Sequence, residues 1–454
     1  VNEKTRKLWL TPEIGVLFLA LTLRVVLAYF NREFNDDHVE VISLIADNGL
    51  FPPKNACYEC YHPQLYHTFC ALWVKLFSIT DLEQRRVLAQ YINVAAGMLT
   101  LGLVKNFLKQ IAAPRIAAFW ALALIALNPD FIGINAQASN DTFVIFFGTL
   151  SFYCGWMTFR NFRTSWIFAT AFAVVCAALS KASGLAIFLA IFGGWTIAWL
   201  TGTFDRKKIA RALVILTVLF FGTVPFLGGY VEHYRQYGNP FVMNDPKDPP
   251  PHWFEETYVN RPGVTSIASG YFTFRIFSLL ETPYVTQGFT DYPAHRTSLW
   301  SQLYGRLNFV HFGQFPKGWA STDPWIINLG RMLLTLALLP LFFFLKGIGV
   351  QLRRLFRMVQ RREWIQREFS ETAFNLLGLA GIAAISIKVS YDIRCFCGMK
   401  GIYVLPALLC WAKCFVDGYG AELSVPKNRI IHWTLATLCL LYCVDIGALI
   451  LSLA

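Results

Sequence analysis

Leu65-Tyr66-His67-Thr68-Phe69-Cys70-Ala71-Leu72-Trp73-Val74-Lys75-Leu76-Phe77-Ser78 is the stretch on which the topology turns. It is apolar, yet at about 14 residues it falls short of the roughly 20 that a helix needs to cross a bilayer. It reads as an interfacial or re-entrant helix. Left uncrossed, it keeps the loops carrying Lys105, Lys109 and Arg115, then Arg160 and Arg163, then Arg206, Lys207, Lys208 and Arg211, on the side of Lys4, Arg6 and Lys7. The strongest basic run, with Arg353, Arg354, Arg357, Arg361 and Arg362, joins them. A crossing would set this charge bias against the N-terminal anchor. The topology expected is therefore the uncrossed one, with a cytoplasmic N-terminus.

The rest of the chain fits an all-α, polytopic membrane protein. Its 454 residues are 55% hydrophobic and 16% aromatic, with 15% charged, where soluble chains average about 25%. The mean hydropathy is +0.45. Forty Phe and 14 Trp suit lipid-facing spans and interfacial belts. The net charge of +12 does not mark a nucleic-acid partner, because the basic residues fall in short runs between apolar segments. Residues 13–30 lack a small-residue cleavage site and read as a signal anchor. Further candidate spans are residues 87–104, 116–134, 141–159, 164–180, 183–201, 209–229, 326–345, 371–390, 402–416 and 430–453, about eleven in all. The expectation is one membrane domain over residues 1–454, multi-pass, in a bacterial inner membrane, with interfacial helices and a loop-built cap outside the cytoplasm.

That outer face collects the chemistry-bearing residues. The first loop, residues 31–86, holds Asp36, Asp37, His62 and the Cys57/Cys60 pair. Later loops bring Ser139-Asn140-Asp141, Ser180-Lys181-Ala182 and the segment Arg394 to Lys400. The long loop 230–325 is rich in Pro, Tyr and Trp, and loops of more than about 15 residues are usually functional.

An enzyme that moves a sugar from a lipid phosphate needs a base for the acceptor and cations for the leaving phosphate. Asp36 or Asp37 suits the base, although either carboxylate could instead be solvated or cap the helix starting near Val39. Lys181 and Lys400 suit the phosphate, since fixed charge in a partly dehydrated site is usually the largest catalytic contribution; each could equally snorkel. His62, Arg275, Arg296, Arg306 and Arg394 are weaker cationic candidates because outer-loop arginines are often surface charges. Asp141 opens a helix, where it either favours the N-terminus or orders the site. Tyr61, Tyr66 and His67 could line a sugar pocket or act as interface anchors. Arg24, inside the first span, pairs or snorkels. Cys57/Cys60 and Cys395/Cys397 are open between disulfides, metal ligands and free thiols. Sugar transfer of this kind requires no cofactor, while a carboxylate pair can also ligate a divalent cation.

In order along the chain, the acidic pair, His62-Pro63-Gln64-Leu65-Tyr66, Ser139-Asn140-Asp141, Leu179-Ser180-Lys181 and Lys400-Gly401 resemble the GT-C superfamily. The likeness is nearest to the family 39-like enzymes of the protein-mannosyltransferase and aminoarabinose-transferase type. It implies a GT-C fold, a polyprenyl-phosphate-sugar donor, an inverting mechanism and an active site at the extracytoplasmic interface. The family's first-loop aspartate falls on Asp36, with Asp37 in the place of the next acidic residue, its later acidic residue on Asp141, and its Leu-Thr-Lys element on Leu179 to Lys181. Gln64 departs from the family's second proline. Acceptor recognition then falls to residues 230–325, for a protein, lipid or glycan acceptor. The competing readings are a secondary transporter or lipid flippase, which would place ionisable residues at mid-membrane, and a non-catalytic assembly factor.

Overall fold

The computed structural model describes residues 12–32, 37–49, 51–53, 56–57, 59–241, 266–284, 294–313, 319–392, 399–420 and 429–454. α1 (Pro12–Phe30) is an apolar helix interrupted by Arg24. Two short helices follow, α2 (His38–Asn48) and α3 (Leu65–Leu76), and then α4 (Leu82–Gln110), whose start is capped by the Asp81 carboxylate accepting from the Gln84 N–H. The carbonyl of Asn31, just beyond α1, accepts from the Gln90 amide at 2.7 Å and from Arg86, both near the start of α4. So α4 begins at the end of the bundle where α1 finishes. α3 does not cross between them; its 12 residues rise only about 18 Å against about 30 Å of hydrocarbon. It packs instead on α2, through a cluster that includes Val41, Ile42, Cys70 and Val74.

Residues 116–134, expected as one span, are two helices. α5 (Arg115–Ala126) and α6 (Pro129–Asn135) meet at a 50° bend. The cause is local: proline disfavours helical backbone at Asn128, whose side chain then caps α6 by accepting from the Phe131 N–H at 2.9 Å. Arg24 reaches this break. Its guanidinium donates to Asn135 Oδ1 at 2.8 Å and to the Ala126 carbonyl at 2.8 Å, and lies 4.9 Å over the Phe131 ring. It pairs inside the bundle rather than snorkelling.

Four long helices come next: α7 (Asp141–Asn161), α8 (Thr164–Ser180), α9 (Leu185–Thr201) and α10 (Arg206–Leu227). α7 is central, with 83% of its apolar window buried, against 22% for α1 and 28% for α10. After α11 (Tyr230–Tyr237), the described parts of the long loop form α12 (Ile267–Tyr271), α13 (Ile276–Glu281) and α14 (Leu299–Asn308). They are tied to the bundle: the Asn128 amide donates to the Leu307 carbonyl at 2.7 Å, and Asp445 Oδ2 accepts from the Val310 N–H at 2.8 Å. α15 (Pro324–Leu336), α16 (Leu338–Gln360), α17 (Arg367–Asp392), α18 (Leu408–Gly420) and α19 (Arg429–Leu453) complete the chain.

Among the described residues, nine helices are long and apolar enough to cross a membrane, or ten if the bent pair counts as one span, and none of the residues forms a strand. The expectation of about eleven exceeded this because residues 116–134 are bent and α8 is only 17 residues long. The two ends of the bundle are chemically distinct. Thr203 Oγ1 and Ser370 Oγ share a 2.8 Å hydrogen bond, and Arg367 donates to the Arg160 carbonyl, so the basic segments around 160, 206 and 353–367 share one end. Asp141 and Lys181 lie at the other end of α7 and α8.

α16 and α18 touch backbone to backbone. A Cβ on Gly347 would stand 1.7 Å from the Cys414 carbonyl oxygen, and one on Gly418 1.9 Å from that of Phe343. Small residues permit such close helix pairs in membranes. Gly347→Ala should therefore destabilise the protein by about 1–3 kcal/mol, because a backbone carbonyl cannot yield as a side chain does. Thermal unfolding in detergent checks this, with Gly349→Ala as control, since a Cβ at Gly349 meets nothing within 4 Å.

Candidate active site

The backbone conformation at the end of α8 places the first functional group. Lys181 is extended (φ −159°, ψ 149°) and stops the helix before a short 3-10 turn, Ala182–Gly184. Gly184 lies so close to the preceding turn that a Cβ would come within 2.3 Å of the Ala177 carbonyl oxygen. Leaving the helix there turns Lys181 toward the start of α7. Its Nζ donates to both Asp141 carboxylate oxygens at 2.8 Å. The side chains are 12% and 6% exposed, so the pair is largely withdrawn from water. Burial acts to lower the Lys181 ammonium, but the Asp141 charge outweighs it and holds the group above the ordinary lysine value. An ammonium has three N–H donors, and Asp141 takes two.

Asp141 is fixed from its own side as well. Its N–H donates to Ser139 Oγ at 3.2 Å, and that hydroxyl is 3.3 Å from Asp141 Oδ2. Its charge at the first residue of α7 also complements the helix dipole. Ser180, the other hydroxyl beside Lys181, turns away and donates to the Cys176 carbonyl within α8.

Two more cations and a second carboxylate border this pair. The charges of Lys400 and His38 act on Asp141, and those of Arg306 and Lys400 act on Asp130. The Tyr403 ring centre lies 5.9 Å from Lys181 Nζ. Gly401 presses against Asp130, where a Cβ would come within 2.5 Å of Oδ2, an oxygen with no hydrogen-bond partner among the described residues. Arg306 is 6% exposed, and burial lowers its guanidinium to about 10 despite the upward pull of Asp130. The cluster thus sets Lys181, Lys400 and Arg306 around two carboxylates, which can hold an anion in a partly dehydrated place.

Sequence reasoning overlooked Asp130 and undervalued Arg306. The available signal was Asn128-Pro129-Asp130, a charge inside an otherwise apolar run. Arg306 carries no such signal, because its burial depends on α14 packing against the end of the bundle.

The first loop lies over the same end. Asp37 stands at the N-cap of α2 in the left-handed conformation (φ 57°), exposed, and its side chain makes no capping hydrogen bond. His38, the next residue, shares a 2.9 Å hydrogen bond with His67. His62 Nε2 is 3.0 Å from Glu59 Oε2. Glu59 sits within the turn closed by a Cys57–Cys60 disulfide. The free-thiol and metal readings of these two cysteines give way to that bond.

The remaining candidate residues fall as follows. Tyr66 is fully buried against Phe143, and the Asn93 amide donates to its hydroxyl at 3.4 Å. Arg275 is exposed before α13, and no hydrogen bond or ion pair joins it to Asp141 or Lys181 among the described residues. Asp36, Arg394, Cys395 and Cys397 lie outside the described residues. Among the described residues no three His, Cys, Asp or Glu side chains are grouped to hold a metal ion.

Comparison with known proteins bears on the fold. Residues 82–228 match the family model of dolichyl-phosphate-mannose-protein mannosyltransferase, roughly a third of the chain. No curated protein matches. The oligosaccharyltransferase of Archaeoglobus fulgidus, in its apo form, aligns at 14% identity over 97% of this chain and 56% of that chain, with a TM-score of 0.53. The same enzyme in complex with Zn and sulfate aligns at 17% identity over 96% and 53%, with a TM-score of 0.50. A protein O-mannosyltransferase complex of S. cerevisiae bound to the sugar donor aligns at 18% identity over 53% and 36%, with a TM-score of 0.38. The chain spans about half the length of the archaeal enzyme. It shares the all-α, multi-pass membrane fold of that archaeal enzyme.

Proposed function

We propose that this protein is an inverting glycosyltransferase that moves one sugar from a polyprenyl phosphate to a protein, lipid or glycan acceptor outside the cytoplasm. The observation that carries the reading is the meeting of Lys181, Lys400 and Arg306 with Asp141 and Asp130 at the end of the bundle covered by the first loop. In this reading Asp36, with Asp37 as its partner, takes the proton from the acceptor nucleophile as that atom bonds to the anomeric carbon. The bond from that carbon to the phosphate oxygen breaks, and the lysines and Arg306 stabilise the departing phosphate. Asp141 orients Lys181 for this task, while His62 and Arg394 add positive charge nearby. The reaction in this reading requires no cofactor, with a divalent cation at the carboxylate pair as the open addition.

The full proposal is a GT-C enzyme of about eleven spans. Residues 31–86 form its catalytic loop and residues 230–325 its acceptor-facing cap. The N-terminus and the basic end of the bundle face the cytoplasm. Liposomes holding the purified protein and a panel of polyprenyl-phosphate sugars test it. The expected result is release of free polyprenyl phosphate together with a glycosylated acceptor detected by mass spectrometry. Gradient-driven uptake or flipping of a lipid, with no sugar bond broken, would replace this reading by the transport one.

A further inference from the structure

At the basic end of the bundle, opposite Asp141 and Lys181, three arginines of α16 and Arg361 just beyond it line one cavity of about 390 Å³. Arg353, Arg357 and Arg361 repeat every four residues and so share a helix face, with Arg354 beside them. The opposite wall comes from the chain as it turns into α17. Arg362 adopts the left-handed conformation (φ 58°), and the Glu363 N–H donates to the Met358 carbonyl at 2.8 Å, folding residues 363–368 back along the helix. Two carboxylates line the cavity, Glu363 and Glu368, so the wall carries a net charge of +2. Among the described residues, Glu368 pairs with Arg354 at 3.4 Å. Among the described residues, Arg353, Arg357 and Arg361 make no ion pair.

The wall is fixed in place. The Gln351 amide donates to Asp417 on α18 at 2.9 Å and accepts from Asn375 on α17 at 3.0 Å, which holds α16 between its neighbours just before the arginines. The surroundings of the cavity are amphipathic. Val350 and Met358 contribute apolar lining, and Leu352, Phe356 and Val359 are exposed beside the arginines on the same helix. Guanidinium groups in this arrangement match phosphate oxygens, and exposed apolar side chains next to them match acyl chains. No aromatic residue lines the cavity to stack a nucleotide base.

We propose that this cavity binds the phosphodiester headgroup of an anionic membrane phospholipid, at the end of the bundle away from the candidate active site. Basic pockets between membrane helices recognise such headgroups in this way. The test uses the full chain, delipidated in neutral detergent, with phosphatidylglycerol or phosphatidylcholine added and the bound lipid counted by native mass spectrometry. Wild-type protein should retain phosphatidylglycerol in preference to phosphatidylcholine. The triple variant Arg353→Gln/Arg357→Gln/Arg361→Gln should lose on the order of a hundredfold in affinity, at about fivefold per arginine. Lys207→Gln/Lys208→Gln, basic residues at the same end but outside the cavity, should bind as wild type does.

Glu368→Gln removes an opposing charge and should tighten binding, which keeps the proposal testable if the triple variant fails to fold. Equal retention of the two lipids, or an unchanged triple variant, would overturn it. So would inorganic phosphate competing as well as the lipid, which would make this a site for free anions.

Discussion

Asp141→Ala is expected to abolish sugar transfer and to lower stability by about 3–5 kcal/mol, because it leaves the Lys181 ammonium buried without its partner. Replacing both members by apolar residues of similar size, Asp141→Leu/Lys181→Met, should restore most of the stability and none of the transfer, since buried ion pairs are often matched by apolar packing. Denaturation in detergent and the liposome assay separate the two effects. A double variant that transfers sugar would remove Lys181 from the phosphate site. The pH behaviour has a definite sign. The Lys181 value is raised in the folded chain, so its contribution is fully present below the unfolded lysine value of about 10.4 and is lost only as pH rises through the higher folded value. Titration of Lys181 should therefore produce no change in stability or turnover across the neutral range.

Asp36→Asn should reduce turnover by about 10²- to 10⁴-fold, the usual contribution of a positioned general base, with unfolding unchanged. Asp37→Asn is the companion measurement. Asn tolerates the left-handed backbone nearly as well as Asp, so at Asp37 (φ 57°) the substitution removes charge with little added strain. The Asp37 side chain supplies no cap to α2, so turnover is the readout for both variants. If Asp36 is the base and Asp37 its partner, the first variant suffers far more than the second. Full turnover in both would eliminate the first-loop carboxylates from the chemistry.

Hydropathy and length made most helices readable, and the shortness of the apolar stretch 65–78 made α3 readable as a helix that stays on one side. The bend at Asn128-Pro129 was written in the sequence too, but the apolar count across 116–134 hid it. Lys181 and Asp141 were each noticeable, yet their pairing joins residues 40 positions apart and depends on how α7 and α8 pack. The full burial of Tyr66 was hidden for a related reason: a tyrosine beside an interfacial helix has the same local signature whether it is exposed or packed against its neighbours. Arg306 was discounted because nothing in its neighbourhood reveals that α14 settles into the bundle. Pattern gives the elements, whereas burial of charge comes from tertiary packing.

Where Gly347 and Gly418 bring two backbones together, nothing deformable lies between them. α16 and α18 must then move as one rigid plate, and with them the polar lock of Gln351, Asn375 and Asp417. Breathing of the bundle is left to its periphery, where α1 and α10 bury the smallest shares of their length and separate at the least expense.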